Sequence, residues 1–203
     1  MIAEQFWTYL EYFGVISGLI YLWLEIKQNS IMWIVGGISA LIYIFVFAYS
    51  KVYADMAFNI YYAIISFWGY FMWRKSLSKG NDKEHEYASD SVIEYSNVTP
   101  SQALKIGLST GLIYLIIFLV LSKYTDSPIP YGDALTTTLS IIGTWMLAKK
   151  IIQHWDIWII VNVLSIYLYY IRGLYPTMFL YFLYALSSFA GYYIWKKKGV
   201  VYG

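Results

Sequence analysis

The sequence predicts an all-α integral membrane protein with seven transmembrane helices, built as two parallel three-helix repeats joined by a linker helix (3+1+3). Composition is the first observation behind this prediction. Of the 203 residues, 60% are hydrophobic and only 13% are charged, whereas about a quarter of the residues of a soluble domain are charged. The mean hydropathy is +0.54. The other two observations are a series of apolar stretches and a segment that occurs twice.

Seven apolar stretches approach the length of about 20 residues that a helix needs to cross a bilayer. Four of them contain no charged residue, and flanking apolar residues extend the other three to spanning length. The apolar runs are unbroken and do not alternate, which favours helices over the strands of an outer-membrane barrel. In chain order, the predicted helices cover residues 12–24, 31–50, 56–73, 106–122, 134–148, 157–171 and 176–195.

Residues 53–75 are repeated at 175–197, an offset of 122 positions. The two copies share 10 of 23 residues without a gap, whereas composition alone would give about 2 identities by chance. Weaker matches upstream, at offsets of 125 and 126, pair Trp33 with Trp158 and Ser39 with Ser165. Each copy therefore contains three predicted helices, one to three and five to seven.

The odd number of helices in each copy determines how the copies are oriented. Two directly joined copies would point in opposite directions, and predicted helix four restores the same orientation. We therefore expect parallel halves related by an axis along the membrane normal, as in the SWEET transporters, and a helix four that faces lipid. Eleven Lys and Arg lie on one side of this topology and three on the other. Because basic loops stay in the cytoplasm, the N-terminus is predicted outside and the C-terminus in the cytoplasm.

Two polar segments interrupt the apolar pattern. Residues 76–104 are rich in Ser, Lys, Asp and Glu and predict a cytoplasmic loop, whereas residues 124–133 hold two of the four prolines and predict a structured turn. The predicted organisation is therefore a first three-helix repeat at 1–75, the polar loop at 76–104, the linker helix and turn at 105–133, and the second three-helix repeat at 134–203.

Polar and aromatic residues inside the predicted spans are the candidates for a ligand site, because a polar group in hydrocarbon costs free energy unless it finds a partner. Asn59 and Asn162 would hydrogen-bond either a ligand or a neighbouring helix, and Tyr62 and Ser165 lie one turn further along. The repeat counterpart of Asn59 is Tyr181, an asymmetry that recognition of an asymmetric ligand requires. The remaining candidates are Thr144, Trp145, Trp155, Trp158 and Tyr184.

Trp155, Trp158 and Asn162 form a W-x-x-W-x-x-x-N series on one side of a predicted helix. Indole planes suit a flat, cationic ring through stacking and cation–π attraction, and the amide supplies a hydrogen bond. For Trp155 a position in the interfacial belt is an equal alternative. Trp73 and Trp195 stand beside Arg and Lys at helix ends, and we interpret both as belt residues.

No catalytic motif is present, so we predict a protein that is not an enzyme and that needs no metal and no cofactor. There is no Cys, and of the two histidines His85 lies in the polar loop and His154 at a helix boundary, where a surface position is expected. No carboxylate is predicted near the middle of a span, which favours uncoupled, facilitated transport over coupling to protons or sodium. Nucleic acid is not an expected partner.

A further set of residues follows the pattern of a known family along the whole chain. In the first half the set comprises Val52-Tyr53-Ala54-Asp55, Asn59, Tyr62 and residues 69–73, and in the second half it comprises Trp155, Trp158, Asn162, Ser165 and residues 173–175 and 191–195. With these residues the chain resembles the PnuC family of bacterial vitamin transporters. The resemblance implies facilitated uptake of nicotinamide riboside across the bacterial inner membrane, followed by trapping by a cytoplasmic kinase that phosphorylates it.

Two other interpretations stay open. The chain has Asn59 where nicotinamide riboside carriers of the family tend to have Gln, and Gly143-Thr144 where they tend to have Ala-Gln. Thiamine, which related members carry, also combines a flat cationic ring with a hydroxyl-bearing arm. The second alternative is a membrane module that binds or senses a vitamin without transporting it. The expected partners are the vitamin and the lipid bilayer, and a homo-oligomer is compatible with the sequence.

Overall fold

Seven α-helices and two short β-strands make up the part of the chain that the computed structural model describes, residues 13, 16–49, 53–80, 93–173 and 175–201. The predicted all-helical architecture with seven helices is confirmed, apart from the two strands. The elements are α1 (Ile16–Ile26), α2 (Ile31–Tyr49), α3 (Tyr53–Gly80), β1 (Ile93–Tyr95), α4 (Pro100–Tyr124), α5 (Pro130–Ala148), α6 (His154–Ile171), α7 (Tyr175–Lys198) and β2 (Gly199–Val201).

The ends of two helices differ most from the prediction. α3 continues through polar residues to Gly80, seven positions beyond the predicted end. α4 begins at Pro100, six positions earlier than predicted, because a capping box precedes it: the Thr99 hydroxyl accepts from the Gln102 N–H, and the Gln102 side chain accepts from the Thr99 N–H. Polar residues thus extend both helices beyond their apolar runs.

Among the described residues, three helices are long and apolar enough to cross a membrane: Pro100–Tyr124, His154–Ile171 and Met178–Lys198 within α7. Ile16–Ile26 and Ile31–Phe45 are shorter apolar helices. The length criterion alone therefore supports fewer spans than the seven predicted. α4 buries no residue and exposes Leu104, Leu108, Leu112, Leu115 and Leu119.

The chain divides between residues 91 and 92 into two compact units. Unit one contains α1, α2 and α3, and α2 packs against α3. Unit two contains β1, the helices α4 to α7, and β2. Within unit two, α5 packs against α4 and α6, and α6 packs against α7.

The turn from α1 to α2 has the same backbone geometry as the turn from α5 to α6, at a constant offset of 122. Gln28 and Lys150 have the left-handed φ values of 51° and 55°. Their N–H groups donate to the carbonyl oxygens of Glu25 and Leu147, both at 2.9 Å. The bonds Asn29 to Leu24, Met32 to Asn29 and Trp33 to Ser30 likewise recur as Ile151 to Met146, His154 to Ile151 and Trp155 to Ile152.

The upstream offsets of 125 and 126 that the sequence suggested are therefore wrong. The geometric counterpart of Trp33 is Trp155, and the residue that corresponds to Ser165 is Tyr43. In the following, two residues 122 positions apart are called counterparts. The bounds agree as well: α1 and α5 end at counterparts, as do α2 and α6, and α3 and α7 begin at counterparts.

A buried tryptophan pair recurs in each unit. In unit one, Trp33 lies edge-on to Trp73 with ring centroids 5.5 Å apart, and in unit two Trp155 lies edge-on to Trp195 at 5.7 Å. All four rings are buried. In each unit a glycine one turn before the second tryptophan makes room for the first. A Cβ on Gly69 would lie 2.6 Å from Trp33 Cε2, and one on Gly191 would lie 2.6 Å from Trp155 Cζ2. The interpretation of Trp73 and Trp195 as interfacial belt residues is wrong, because both rings face the interior of their unit.

His154 is also fully buried, and its expected surface position is wrong. Its ring contacts those of both Trp155 and Trp195, with centroid distances of 4.6 and 4.9 Å. Nδ1 is 2.7 Å from the carbonyl oxygen of Ile151. The aromatic neighbours enclose the histidine although it begins a helix.

Residues 93–99, within the segment predicted as a polar loop, are tied to two parts of unit two. β1 pairs in parallel with β2, so that Glu94 lies opposite Val200. Ser96 exchanges backbone hydrogen bonds of 3.0 Å with the turn after α5, donating to Lys150 and accepting from Ile152. Asn97 and Val98 both hydrogen-bond the Gln153 side chain. The end of α7 and the α5–α6 turn are thus connected through this segment.

Candidate ligand-binding residues

Asn162 lies in the middle of α6 and is buried, as is Ser165 one turn further along. Its Nδ2 donates a hydrogen bond to Oγ of Ser188 on α7 (3.1 Å), and Ser188 donates to the carbonyl oxygen of Tyr184 (2.9 Å). Within the described part of the chain this is the only hydrogen bond of the Asn162 side chain. The amide nitrogen therefore joins two helices, and the amide oxygen accepts no hydrogen bond from the described residues.

Three tyrosine rings of α6 and α7 lie close to one another. Tyr181 and Tyr184 on α7 have ring centroids 5.6 Å apart, and Tyr169 of α6 lies 5.0 Å from Tyr181. All three are half-buried. Tyr169 was not among the predicted candidates, although its position seven residues after Asn162 places it on the same helix face.

The structure treats the two tryptophans of the W-x-x-W-x-x-x-N series differently. Trp155 is 0% exposed and its ring fills the space above Gly191, where a Cβ would lie 2.6 Å from Cζ2. Both of its faces and edges are taken by the unit's own packing, so it offers no plane to a ligand in this conformation. Trp158 is half-buried and borders Gly143, with a Cβ position 3.6 Å from Cε2. Of the two, only Trp158 keeps part of its side chain exposed, so the predicted stacking on a ligand ring stays a prediction for Trp158 alone.

Two indole N–H groups and a hydroxyl add donors to this part of unit two. Among the described residues, Nε1 of Trp155, Nε1 of Trp158 and Oγ1 of Thr138 have no hydrogen-bond partner. Buried donors without a partner are costly. A ligand or water that accepts from Trp158 Nε1 or Thr138 Oγ1 is therefore favoured, whereas Trp155 Nε1 is enclosed by the packing around its ring. Thr138 was not among the predicted candidates, because its hydroxyl is one of several along α5.

The two predicted candidates on α5 have different surroundings. Thr144 is buried and its hydroxyl donates to the carbonyl oxygen of Ser140 (2.8 Å) within the same helix, as helical threonines commonly do. Trp145 packs against the apolar cluster of Ile142, Met146 and Ile151. Trp145 therefore belongs to the hydrophobic packing of unit two, and its place among ligand contacts has no support from its surroundings.

In unit one, Asn59 and Tyr62 are half-buried on α3. The Tyr62 ring lies edge-on to Phe58 with centroids 4.7 Å apart and at 5.8 Å from that of Tyr61. Ser66, one turn further, is buried like its counterpart Ser188. The counterpart of Asn162, however, is Ala40, so unit one lacks the amide at that position.

Charged residues at the other end of unit two are paired with each other. Arg172, just after α6, donates to both carboxylate oxygens of Asp133 at 2.7 Å, and the Ser127 hydroxyl donates to the same carboxylate (2.6 Å). This pair joins the start of α5 to the end of α6. In the described residues no three His, Cys, Asp or Glu side chains come together in a way that could hold a metal ion.

The sequence model of the family described as "Nicotinamide mononucleotide transporter" matches residues 8–197. The chain belongs to this family. A nicotinamide mononucleotide transporter family member is a multi-pass protein of the inner membrane, and it is a transporter and not an enzyme.

Relatives in the family share a modest part of the sequence over almost its whole length. The chain is 26% identical to the nicotinamide riboside transporter PnuC of Haemophilus influenzae, covering 97% of this chain and 86% of that protein. It is 24% identical to PnuC of Neisseria mucosa (94% and 73% covered) and 19% identical to PnuC of Escherichia coli (93% and 85%). The crystal structure of the vitamin B3 transporter PnuC superimposes with a TM-score of 0.71 at 23% identity, over 94% of this chain and 81% of that one. The fold is therefore shared.

Proposed function

We propose that the chain transports nicotinamide riboside across the inner membrane by facilitated diffusion, and that a cytoplasmic kinase traps the vitamin by phosphorylation. Family membership and the nicotinamide riboside transport named for the relatives support the substrate. The absence of a carboxylate from the middle of the described α2, α4, α5, α6 and α7 supports transport without ion coupling. Net uptake then follows the concentration gradient that phosphorylation maintains.

The proposal depends mainly on one observation: the Asn162 side chain donates a hydrogen bond through its nitrogen but accepts none from the described residues through its oxygen. The Asn162 amide oxygen, which has no donor among the described residues, can accept a hydrogen bond from a hydroxyl or carboxamide N–H of nicotinamide riboside. Trp158 supplies an aromatic plane on the same helix, suited to a flat cationic ring. Ser165, Tyr181 and Tyr184 border this face, and Asn59 and Tyr62 of unit one stay predicted ligand contacts.

Alternating access in such a carrier requires two bodies that move relative to each other. We assign these bodies to two three-helix repeats, α1–α3 and α5–α7, with α4 as the linker and with both repeats in the same orientation. The identical turns at the offset of 122 support a duplication, and the excess of basic residues on one side supports an external N-terminus and a cytoplasmic C-terminus.

Counterflow in proteoliposomes tests the transport mechanism. Vesicles loaded with unlabelled nicotinamide riboside are expected to accumulate labelled vitamin from outside without any ion gradient or ATP. Thiamine and riboflavin are assayed in parallel, because Asn59 and Gly143-Thr144 depart from the nicotinamide riboside pattern. Counterflow of thiamine alone would transfer the proposal to thiamine. Binding of a vitamin without flux would overturn transport and leave a binding or sensing module.

Asn162→Ala tests the site, with Ser188→Ala as its matched control. Removal of the amide is expected to weaken vitamin binding about five- to thirtyfold, because a hydrogen bond to a desolvated polar group is worth about 1–2 kcal/mol. Ser188→Ala removes the bond between α6 and α7 and leaves the Asn162 amide in place, so affinity should change little. Calorimetric titration of both purified variants measures the effect. Equal losses in the two variants would assign Asn162 a structural role.

A further inference from the structure

Residues 93–99, which we call the strap, connect three separate parts of unit two. Through β1 the strap pairs with β2, which follows directly on α7. Through Ser96 it exchanges two backbone hydrogen bonds of 3.0 Å with the turn between α5 and α6. Its last residue, Thr99, caps α4. The end of α7, the α5–α6 turn and the start of α4 are therefore joined by one short segment.

The side chains of the strap are packed closely against the end of α7. Ile93 and Tyr95 are both buried. A Cβ on Gly199 of β2 would lie 2.7 Å from Cδ1 of the Tyr95 ring and would also clash with the carbonyl oxygen of Trp195, so only glycine fits at this position. Packing of this density leaves β1 and β2 little freedom to shift while they stay paired.

A glutamine side chain connects the strap to the start of α6. Gln153 accepts from the Val98 N–H through Oε1 (3.1 Å) and donates to Oδ1 of Asn97 through Nε2 (3.0 Å). The counterpart of Gln153 in unit one is Ile31, whose side chain can make neither of these hydrogen bonds. This connection is therefore a property of unit two and not of the common scaffold.

α4 and the strap also pack against the same apolar cluster of Ile142, Met146 and Ile151. Ile106 and Ile113 of α4 contact this cluster, as does Val98 of the strap. Close van der Waals packing is the main force that keeps helices together in a bilayer. Separation of α4 from α5 would break this packing, so we expect α4 to stay with unit two.

We propose that the strap stays closed throughout the transport cycle, so that α4 moves together with α5, α6 and α7 as one body. The inference rests on the proposed function, because alternating access requires moving bodies. The linker helix then belongs to the second moving body, and the boundary of that body lies before residue 93. The division of the chain into compact units between residues 91 and 92 agrees with this assignment.

A reversible cross-link tests whether the strap opens. The chain contains no Cys, so Glu94→Cys combined with Val200→Cys introduces the only two thiols, at positions that pair between β1 and β2. Neighbouring strands lie about 4.8 Å apart, within the Cα separation of about 4.4–6.8 Å that a disulfide spans. The oxidised protein in proteoliposomes should show counterflow of nicotinamide riboside within about twofold of the same protein after reduction, because no step of the cycle is blocked.

Two outcomes of the cross-linking experiment would overturn the inference. A loss of counterflow of about tenfold or more that reductant restores would mean that the strap has to open during the cycle. Failure of the two thiols to oxidise would mean that β1 and β2 do not stay side by side. Each single-cysteine variant, treated with the same oxidant, is the control for effects of the substitutions themselves.

Amide hydrogen exchange tests the strap without a transport assay. Gly199→Ala places a methyl group against the Tyr95 ring and should release β2 from β1. If the strap is one cooperative unit, the amides of Ser96 and Ile152 should then exchange about tenfold faster, and by the same factor. Gly107→Ala, where a Cβ meets no atom within 4 Å, is the matched control and should leave both rates unchanged. Unchanged exchange in Gly199→Ala would show that the parts of the strap open independently, and would overturn the inference.

The wild-type protein separates this inference from the proposed function. Its Ser96 and Ile152 amides should be protected equally, within about twofold, with and without saturating nicotinamide riboside. Protection that changes with the vitamin would show that the strap opens, and would overturn the inference while transport stands. Failure of the wild-type protein to bind or exchange any vitamin would overturn the proposed function, and the exchange rates of Gly199→Ala would still show whether the strap is one unit.

Discussion

The two units share backbone turns and core packing but differ in their buried and half-buried polar residues. Both contain the turn with a left-handed residue at Gln28 or Lys150, and both bury an edge-on tryptophan pair against a glycine. These features depend on backbone geometry and on close packing, which tolerate little change. The packing of each unit therefore fixes a common scaffold, while single positions within that scaffold differ between the units.

The exchanged positions are the ones to which we assign ligand chemistry. Unit two has Asn162 and Trp158 where unit one has Ala40 and Gly36. Unit one has Asn59 where unit two has Tyr181. Two identical units could present only identical groups, whereas an asymmetric ligand with a charged ring at one end and hydroxyls at the other needs different groups. The asymmetry is therefore what a carrier for such a vitamin requires.

An aromatic residue and a glycine face each other in both units, but their helices are exchanged. In unit two the glycine is Gly143 of α5 and the aromatic residue is Trp158 of α6. In unit one the counterpart of Gly143 is Tyr21, and the counterpart of Trp158 is Gly36. A Cβ on Gly36 would lie 3.1 Å from Cε2 of Tyr21, so this pair is in contact as well.

The exchange of aromatic residue and glycine gives the largest expected effect. Gly36→Trp introduces the unit-two residue into unit one, where it meets the Tyr21 ring, and should destabilise the protein by about 3 kcal/mol or more, at the upper end of overpacking costs. Tyr21→Gly leaves a void and should also be destabilising. The double variant reproduces the arrangement of unit two and should recover about 1–3 kcal/mol relative to the sum of the single changes.

Thermal unfolding of the four proteins in detergent measures this cycle. The same cycle with Gly69 in place of Gly36 serves as control, since Gly69 contacts Trp33 and not Tyr21. Additive single effects at Tyr21 and Gly36 would show that the two positions do not compensate for each other, and the proposed exchange between the units would be incorrect.

Adding a methyl group at the glycine that packs against each tryptophan pair should have the next largest effect on stability. Gly69→Ala and Gly191→Ala place a methyl group within about 2.6 Å of a rigid, buried indole, and overpacking of this kind costs about 1–3 kcal/mol. The gain in helix propensity, about 1 kcal/mol, offsets only part of that cost. Both variants should therefore unfold at lower temperature, and by similar amounts.

Gly111→Ala on α4 is the matched control for this prediction. A Cβ at Gly111 meets no atom within 4 Å, so only the propensity gain applies and the unfolding temperature should stay the same or rise. If Gly191→Ala lowers the unfolding temperature and Gly69→Ala does not, the contact between Gly69 and Trp33 in unit one is not as tight as the structure indicates.

The sequence predicted the helices well because unbroken apolar runs are a signal local to each helix. The strands were missed because each has three residues and because β1 finds its partner more than 100 residues away. The burial of Trp73 and Trp195 was missed because Lys and Arg follow them, which is typical of interfacial residues. The glycine four positions before each tryptophan was the signal that could have revealed it.

The predicted repeat offset was wrong because residue type and backbone geometry pair different residues. Identity of residue type pairs Trp33 with Trp158, but backbone geometry pairs Trp33 with Trp155 and places Trp158 opposite Gly36. The match by residue type therefore paired Trp33 with a tryptophan that has no aromatic counterpart in unit one. At the candidate site, burial of Asn162 and Ser165 agrees with their predicted position inside a span, whereas Trp145 packs into an apolar cluster that depends on α4 and β1-flanking residues far away in the sequence. Their contact with ligand stays a prediction.

The smallest expected effect concerns a contact described in unit two. Nζ of Lys150 lies 3.3 Å from Oε2 of Glu94, beside the left-handed turn. Burial lowers the pKa of Lys150 and the attraction of Glu94 opposes that shift. Glu94→Gln removes the attraction while the lysine stays charged, and should destabilise the protein by about 0.5–1 kcal/mol at pH 7, a value typical of a partly exposed pair. The turn of unit one has Gln28 at this position and has no such charge to stabilise.

The pH dependence distinguishes this ion pair from a merely geometric contact. Because the ion pair exists only while Lys150 is protonated, its contribution is present at neutral pH and is lost as the pH rises through the lowered pKa towards 10.5, the ordinary lysine value. The difference in unfolding temperature between wild type and Glu94→Gln should therefore shrink between pH 7 and pH 10. Asp126→Asn, at an exposed acid, is the control for general charge effects. A difference that is the same at both pH values would mean that the loss in Glu94→Gln does not come from the ion pair with Lys150, and the proposed electrostatic contribution of this contact would be incorrect.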